Sequence, residues 1–498
     1  MQPRAIAVII LLKYDYNNHT STILAREIAR DLMFIGREIE LQTLETLYKK
    51  NSYQMVVIYG RRRVGKTTLI SKFSEDKPAI IFSAQEANDK MNIDLFSKKI
   101  FEFFHISTAF SPFETWNAAF DFIADKAKTE RFILAIDEFP YAAEENKSLK
   151  SILQNIIDHQ LKDTNIFIIL CGSQISFMEN EVLGYKSPLF GRRTSQMKIL
   201  GFNYLDASKM LESFSREDKI KLYSCIGGTP HYLAQVDKEK SFEDNLADLY
   251  FNISGYLYDE PTMLLKQELR EPAMYNSIIS AIAEGASRLN EISTKIGEER
   301  SKTIKYLETL INLRILHKEY SFGDDPAKSR KGVYKISDNC YSFWYRYVFP
   351  EKAAIEQGTG KAVLNFILPE INSYIGKPFE EICFQYMIHK NNNSELPFTF
   401  THSGRWWGSN PKTKSQEEID IVFSSPDNKS VIFAECKWRN DIKDVAVLND
   451  LIEKSNLFKN CENKYYYLFS KADFSQNCQT LASEIGNVKL IDLNCLFE

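Results

Sequence analysis

Four short apolar runs alternate with helical patterns in the first half of the chain, and this alternation limits the possible folds more than any other feature. The runs are MVVIY (55–59), AIIF (79–82), FILAI (132–136) and IFIILC (166–171). Helical patterns lie between them, for example at 92–104. Buried strands that alternate with helices are typical of a parallel sheet covered on both faces. The sequence therefore predicts an α/β fold.

Length and composition exclude several classes of protein. At 498 residues the chain is long enough for about three domains. A formal net charge of −4 excludes a strong overall field that would attract nucleic acid or membranes. Eight cysteines without a CxxC pair favour neither a disulfide framework nor a zinc site. These counts favour a protein of the cytoplasm.

One apolar run near the start invites a different interpretation. AIAVIILL (5–12) has the length of a secretory core, but Lys13 and Asp15 follow it directly and no small-residue cleavage site is present. No uncharged stretch approaches the roughly 20 residues that cross a bilayer. Residues 1–32 are therefore predicted to be an extension ahead of a domain that opens near Met33, and no membrane partner is expected.

A phosphate-binding loop is predicted directly after the first apolar run. GRRRVGKT (60–67) matches the pattern G-x-x-x-x-G-K-[ST], in which glycines let backbone N–H groups surround phosphates at a helix N-terminus. Lys66 is expected to reach the β- and γ-phosphates of ATP, and the Thr67 hydroxyl to bind Mg²⁺. The predicted nucleotide-binding residues of this segment are Gly60, Arg61, Arg62, Arg63, Val64, Gly65, Lys66, Thr67 and Thr68.

Acidic residues end the third apolar run. Asp137 and Glu138 follow FILAI, at the carboxyl edge of a parallel sheet, where ligands bind. Asp137 is expected to hold the Mg²⁺ ion with its waters, and Glu138 to act as the general base that polarises water. A glutamate beside the aspartate indicates hydrolysis as well as binding.

Three further polar residues are candidates for the same reaction. Ser173 follows the fourth apolar run and either senses the γ-phosphate or forms a structural turn. Arg192 and Arg193 are candidates for an arginine finger, either across a subunit boundary or in cis, or are ordinary solvated arginines. A finger across a subunit boundary implies a homo-oligomer.

Beyond this region the pattern changes twice. Residues 203–271 show helical patterns without strands, broken by IGGTPHYL (226–233). Residues 272–348 give the order helix, turn, helix and hairpin that is typical of a winged helix-turn-helix. DNA binding there would use the start of the helix at 300–313, although basic and acidic residues nearly balance. Docking on the nucleotide domain is the alternative role.

A second cluster of charges ends apolar runs near the C-terminus. A linker is predicted at 350–360, followed by a smaller α/β domain at 360–498. Asp420 lies in EIDIVF, and Glu435 and Lys437 lie on one face at the end of VIFAECK. Two carboxylates that end buried strands favour a bound divalent cation, with Lys437 orienting a water, and Glu380 of GKPFEE is a further carboxylate for that cation. The alternative is that Lys437 simply neutralises both acids.

Residues 34 to about 347 resemble the archaeal-type ATPases of the AAA/STAND group. FIGREIELQTL ahead of GRRRVGKTTLI, the LAIDEFPY strand end and GGTPHYL carry the resemblance, which covers Phe34 to about Tyr347. It implies that the segment with Arg37 lies near the nucleotide base and that Pro230, in a helical lid at 203–271, contacts the adenine. A core at 33–202 and a winged helix after the lid are implied as well.

The C-terminal domain resembles the PD-(D/E)XK nuclease fold, as restriction endonucleases have it. The pattern D-(x)14-E-x-K with an upstream helical glutamate carries this resemblance over about 375–498. It implies a Mg²⁺-dependent site for DNA, although families of this fold include inactive members. The sequence therefore predicts an ATPase coupled to a nuclease-like domain. The alternative is a nucleotide-dependent signalling switch whose C-terminal domain only binds a partner.

Overall fold

The computed structural model describes residues 34–107, 110–269, 271–329, 331–411 and 413–498. The predicted extension at 1–32 lies outside the described residues. The chain divides into two compact units, the first up to Leu200 and the second from Gly201.

The first unit alternates helices and strands. Its elements are α1 Glu38–Tyr48, β1 Gln54–Tyr59, α2 Lys66–Ser74, β2 Ala79–Ser83, α3 Asp89–Phe103, α4 Trp116–Ala127, β3 Ile133–Asp137, α5 Phe139–Glu145, α6 Leu149–Ile156, β4 Phe167–Gly172, α7 Ile175–Phe177 and β5 Ser195–Lys198. Single π-helical turns extend α6 over Ile157–Leu161 and α7 over Met178–Val182.

These strands form one parallel sheet in the order β2-β3-β4-β1-β5. Every residue of β1 is buried. Its side chains alternate between two cores: Val57 packs with one cluster and Val56 and Ile58 with the other. The predicted parallel sheet covered on both faces is confirmed. Strand β5 was not predicted, because Met197 is its only apolar residue and the strand therefore has no apolar run.

The second unit begins with helices and a hairpin. These elements are α8 Tyr204–Met210, α9 Arg216–Ile226, α10 Pro230–Leu233, α11 Phe242–Tyr250, α12 Glu260–Glu268, α13 Pro272–Ala283, α14 Leu289–Ile296, α15 Arg300–Asn312, β6 Leu316–Glu319, β7 Val333–Ile336, α16 Asn339–Phe343 and α17 Lys352–Ala354. A π-helical turn follows α16 at Trp344–Val348, and another follows α17 at Ile355–Thr359. The predicted order of helix, turn, helix and hairpin is present at α14, α15, β6 and β7.

The rest of this unit is a long helix and a mixed sheet. Its elements are α18 Gly360–Asn392, β8 His402–Ser409, β9 Gln416–Ser424, β10 Ser430–Lys437, α19 Val445–Ser455, β11 Asn463–Ser470, α20 Gln476–Ile485, β12 Val488–Ile491 and a 3₁₀ turn Cys495–Phe497. The strand order is β12-β11-β10-β9-β8. Strand β9 is antiparallel to both of its neighbours, whereas β10, β11 and β12 are parallel.

The predicted linker at 350–360 is wrong, because this segment is helical. One of its two glycines bends the chain, and the other allows a close packing contact. Gly358 has φ +83° and bends the chain between two helical segments. A Cβ on Gly360 would lie 1.8 Å from the carbonyl oxygen of Phe251, so only glycine allows this close approach.

The hairpin β6–β7 is bonded to the edge of the C-terminal sheet. The Phe322 N–H donates to the Arg405 carbonyl at 2.7 Å. The Ser321 hydroxyl donates to the Trp407 carbonyl at 2.8 Å and accepts from the Trp407 N–H at 2.9 Å. The Phe322 ring also packs against the C-terminal core. The loop that follows β6 is therefore hydrogen-bonded to the edge strand β8, while β6 and β7 form a separate two-stranded sheet.

No helix in the described part of the chain is long and apolar enough to span a bilayer.

Gly228 supplies a test of backbone packing in the second unit. A Cβ there would lie 1.9 Å from the Phe202 carbonyl oxygen, and the Phe202 N–H donates to the Gly228 carbonyl at 2.6 Å. We expect Gly228→Ala to lower the free energy of unfolding by about 1–3 kcal/mol, as overpacking does. Scanning calorimetry measures the change. Gly376→Ala is the control: in mid-helix, and apart from its chain neighbours and its own helix backbone, no described atom lies within 4 Å of its Cβ position, so the substitution should raise stability by up to about 1 kcal/mol. Equal effects of the two would contradict the packing explanation.

Candidate ATP and metal sites

The loop between β1 and α2 has the backbone of a phosphate cradle. Gly60 has φ +155°, and a Cβ there would lie 2.2 Å from the Ile199 carbonyl oxygen. Gly65 has φ +89° and precedes the first residue of α2, so the N–H groups of that helix face the loop. The Lys66 Nζ donates to the carbonyls of Gly60 and Arg61 at 3.0 and 2.9 Å. The loop thus folds around the buried ammonium group that is predicted to hold phosphate.

Thr67 and Asp137 meet at the carboxyl edge of the sheet. The Thr67 hydroxyl donates to Asp137 Oδ2 at 2.7 Å, although 70 residues separate them along the chain. Asp137 is buried at the end of β3, two strands from β1. A hydroxyl and a carboxylate at this distance are hard oxygen donors of the kind that Mg²⁺ takes alongside phosphate oxygens. These two residues fit the predicted metal role.

Glu138 is held by Ser173. Both the N–H and the hydroxyl of Ser173 donate to Glu138 Oε2, at 3.1 and 2.8 Å. Among the described residues none donates to the other oxygen, Oε1, which leaves that oxygen for water. Glu138 adopts φ +49°, a left-handed conformation that side chains other than glycine rarely take. Ser173 therefore orients the predicted general base, a role that the sequence did not suggest for it.

Other residues of the loop are braced from outside. The Arg62 guanidinium donates to the Tyr141 hydroxyl at 2.6 Å, which ties the loop to helix α5. The Arg37 guanidinium donates to the Val64 carbonyl at 3.0 Å and also to the Leu200 carbonyl. Arg37 thus contacts the loop itself, and its predicted place near the base stays a prediction. Tyr141 was missed, because a tyrosine inside DEFPY carries no spacing signal.

Arg192 does not fit the arginine-finger hypothesis. Its guanidinium binds both oxygens of Asp158, at 2.5 to 3.1 Å, and donates to the carbonyls of Pro188 and Phe190. The hydrogen bond from Arg192, followed by that from Lys162, lowers the pKa of Asp158 to about 2. If Arg192 moved away to act as a finger, Asp158 would lose its main partner. Only Arg193 is left for that hypothesis.

Pro230 belongs to the second unit, where it is the first residue of α10. Its predicted contact with adenine stays a prediction.

The second predicted site lies where β9 and β10 pair. The antiparallel register Ala434↔Ile421 brings the next pair, Glu435 and Asp420, side by side. Both are buried, at 6% and 8% exposure. Asp420 Oδ2 accepts the Cys436 N–H at 2.8 Å, and Glu435 Oε1 is bonded to the Lys437 ammonium. The three residues of the predicted D…E-x-K pattern therefore meet in one place.

One oxygen of this cluster has no partner. Glu435 Oε2 is buried and accepts no hydrogen bond from any of the described residues. Burial, and then the charge of Asp420, raise the pKa of Glu435 to about 7, although Lys437 acts in the opposite direction. A buried carboxylate oxygen without a partner is costly, and a divalent cation between Glu435 and Asp420 would remove that cost. The pair fits a metal ion.

Glu380 does not complete a three-carboxylate metal site. Its carboxylate accepts from the Lys377 ammonium, one helical turn earlier on α18, at 2.9 and 3.3 Å. Burial and Asp420 raise its pKa, so it is close enough to the pair to act electrostatically. Across the described chain, no three Asp, Glu, His or Cys side chains are grouped so that they could hold a metal. Lys377 competes for Glu380, which explains the difference from the prediction.

Arg405 was missed by the sequence analysis. It lies on β8, a strand that was not predicted, and its side chain is bonded to Glu418. Although burial acts to lower it, the pKa of Arg405 is raised by carboxylates around it, among them Glu380 and Asp420. Its Nε is buried and has no hydrogen-bond partner in the part of the chain that the structure describes. The tryptophans have structural roles: Trp438 packs on Phe379, and Trp406 packs in the sheet core.

The matches to known proteins agree with the first unit. Residues 34–236 match a family described as an ATPase domain predominantly from Archaea. A relative from Methanocaldococcus jannaschii, named only as an uncharacterized protein, is 34% identical over 465 residues, which is 93% of this chain and 99% of the relative. The chain belongs to this archaeal ATPase family. ATP hydrolysis is therefore its activity.

Other matches are shorter or more distant. Residues 344–449 of the ATPase match a family of archaeal and bacterial proteins of unknown function. An uncharacterized ATP-binding protein of M. jannaschii is 50% identical over 46 residues, 9% of this chain and 78% of that protein. Among solved structures, the Walker-type ATPase paby2304 of Pyrococcus abyssi is 20% identical, covers 63% of this chain and 96% of its own, and has a TM-score of 0.48. The ORC2 protein of Aeropyrum pernix is 12% identical, covers 65% and 94%, and has a TM-score of 0.39.

We expect Lys66→Ala to abolish ATP binding by the ATPase, because the loop loses the ammonium group that it surrounds. Equilibrium binding of a fluorescent ATP analogue measures the loss. Lys72→Ala is the control, since Lys72 lies on the same helix but pairs with Glu75 at 2.7 Å near the surface. Wild-type affinity in Lys66→Ala would refute the assignment of the loop.

We expect Glu138→Gln to bind ATP normally and to lose hydrolysis by about 10²-fold or more, because only the base is removed. Phosphate release under saturating ATP measures the rate. Glu145→Gln, an exposed residue at the end of the same helix α5, should hydrolyse ATP like the wild type. Normal turnover in Glu138→Gln would mean that another group activates the water.

Proposed function

We propose that the ATPase acts on DNA and that its C-terminal sheet hydrolyses phosphodiester bonds with Mg²⁺. The supporting observation is the buried, unpartnered oxygen of Glu435 beside Asp420, with the Lys437 ammonium on the same strand end. This combination of two acids and a lysine suits a hydrolytic site better than a structural ion pair. A structural pair would satisfy both oxygens of a buried glutamate.

The two carboxylates are enough for the ion. Mg²⁺ keeps several waters and is usually bound through one or two carboxylates together with phosphate oxygens. Asp420 and Glu435 would hold it, and the ion supplies charge stabilisation at the scissile phosphate and a more acidic water. Glu380, drawn toward Lys377, is left to accept a proton nearby. Lys437 orients the water, since its ammonium already lies against Glu435.

The nucleotide site has its own set of residues. Lys66 and Thr67 hold the phosphates and the Mg²⁺ ion of ATP, with Asp137 behind Thr67. Ser173 keeps Glu138 fixed on one oxygen so that the other can accept a proton from water. This division of roles rests on the two hydrogen-bond pairs Thr67–Asp137 and Ser173–Glu138.

The helices α14 and α15 with the hairpin form the proposed winged helix. The start of α15 presents three exposed basic or hydroxyl residues, Arg300, Ser301 and Lys302, with Lys305 one turn further on. Such a helix end suits contact with phosphates or base edges in a groove. DNA is therefore the proposed partner of the second unit, and changes at the ATP site are the proposed control of its action.

We expect Asp420→Asn to lose Mn²⁺ binding while its metal-free form becomes more stable. The amide keeps the acceptor for the Cys436 N–H but removes one of two repelling buried charges. Thermal unfolding in EDTA should shift to higher temperature, and added Mn²⁺ should no longer raise it. Mg²⁺-dependent DNA cleavage should disappear while ATP hydrolysis continues.

Glu417→Gln provides the matched control on the same strand, because its carboxylate accepts from Ser415 at 2.6 Å, away from the pair. It should bind Mn²⁺ and cleave DNA like the wild type. If wild-type protein shows no Mn²⁺ binding that depends on Asp420, the nuclease proposal fails and the C-terminal domain is a partner-binding module.

A further inference from the structure

A large cleft separates the hairpin from the C-terminal sheet inside the second unit. Its volume is about 1820 Å³, and its walls are the hairpin on one side and α18 with β8 and β9 on the other. Asp420 and Glu380 line it, so the cleft opens onto the proposed metal site. Small-molecule pockets usually measure about 300–1,000 Å³, so this cleft suits a segment of a polymer better.

The two walls are held at a fixed separation. Ser321 and Phe322, which line the cleft, bond the hairpin side to β8. Lys335 and Glu319 form an ion pair across the hairpin at 2.5 Å, and Glu319 is close enough to act on Arg405 of the opposite wall. The hairpin is therefore a built wall of the cleft instead of a free arm.

Three cations project from different elements around this cleft. Lys318 lies on β6, Arg346 on the turn after α16, and Lys459 beyond α19, and all three are exposed. Within the described residues, no carboxylate lies within 4 Å of any of the three, whereas most other lysines of this unit are paired. Cations without a carboxylate partner along a cleft can neutralise the phosphates of a nucleic-acid backbone.

Aromatic rings lie beside these cations. The Lys318 ammonium lies 5.3 and 5.2 Å from the ring centroids of Tyr320 and Tyr334. Phe384 and Phe458, both half-buried, line the opposite wall. Base stacking on aromatic rings combined with cations for the backbone is the usual way to hold a single strand, whose bases are unpaired and accessible.

We propose that this cleft binds single-stranded DNA and leads it to Asp420 and Glu435. The proposal deepens the proposed nuclease function and rests on it for the reaction, but not for binding. A continuous duplex has its bases stacked and paired, so the rings of the cleft cannot reach them. The hairpin thereby selects a single strand over a duplex at this site.

The test measures binding of the full chain to labelled DNA by fluorescence anisotropy, in EDTA so that no cleavage occurs. The probes are a 20-nucleotide single strand and the same sequence in a duplex closed by loops at both ends. The cleft variant carries Lys318→Glu, Arg346→Glu and Lys459→Glu. The control carries Lys238→Glu, Lys361→Glu and Lys489→Glu, with the same change in net charge at exposed residues outside both the cleft lining and the proposed winged helix.

We expect the cleft variant to bind the closed duplex like the wild type, because α15 would contact a duplex through residues outside the cleft lining. The affinity of this variant for the single strand should fall at least tenfold. The slope of the logarithm of its association constant against the logarithm of the salt concentration should become shallower by about 2, at about 0.7 for each phosphate contact. The control should bind like the wild type. A loss of duplex binding in the cleft variant that equals its loss of single-strand binding, or undiminished single-strand binding by that variant, overturns the proposal.

Two further results separate this proposal from the nuclease function. If single-strand binding depends on the three cations but no Mn²⁺ binds at Asp420, the cleft is a binding site and the nuclease proposal alone fails. If a single-stranded RNA of the same sequence binds more tightly than the DNA, the assignment to DNA is wrong.

Discussion

The ATP site depends on the position of β1 inside its sheet. This strand is hydrogen-bonded on one edge to β4 and on the other to β5, and all six of its residues are buried. The carboxyl end of β1 therefore has little freedom, and the loop that leaves it begins at a fixed point. Because β3 and β4 end at the same edge, Asp137, Glu138 and Ser173 come within hydrogen-bond reach of one another or of Thr67. Parallel pairing thus brings together groups that are far apart along the chain.

In the second unit, one cluster of buried carboxylates carries a large unfavourable electrostatic free energy. Asp420, Glu435 and Glu380 are carboxylates in or near the core of a mixed sheet, and Lys437, Lys377 and Arg405 balance them only in part. Burial of ions is expensive unless each is paired, so a cluster with an orphaned oxygen stores free energy that a ligand can release. The ordinary surface ion pairs of this chain carry no comparable cost.

Local patterns predicted the first unit well and the C-terminal unit in part. Four buried strands, the phosphate loop and the acidic strand end could be found because each joins an apolar run to chemistry that follows it. Strands β5 and β8 were missed because their residues are mostly polar or half-buried and produce no such run. Arg405 lies on β8 and was missed for the same reason. The linker at 350–360 was wrong because the close approach of Gly360 to Phe251 involves a residue remote in sequence. The ion pair between Arg192 and Asp158 likewise joins residues that are far apart along the chain, so no local sequence pattern predicts it.

The bonding of the hairpin to β8 has a consequence for how the C-terminal sheet behaves by itself. An exposed edge strand presents unpaired N–H and C=O groups that recruit other chains. Here Ser321 and Phe322 occupy part of that edge, and the Phe322 ring covers apolar side chains next to it. A fragment that begins at 360 would lose this cover. It would expose the edge of β8 beside an uncovered apolar surface. We therefore expect such a fragment to self-associate through β8 and to aggregate.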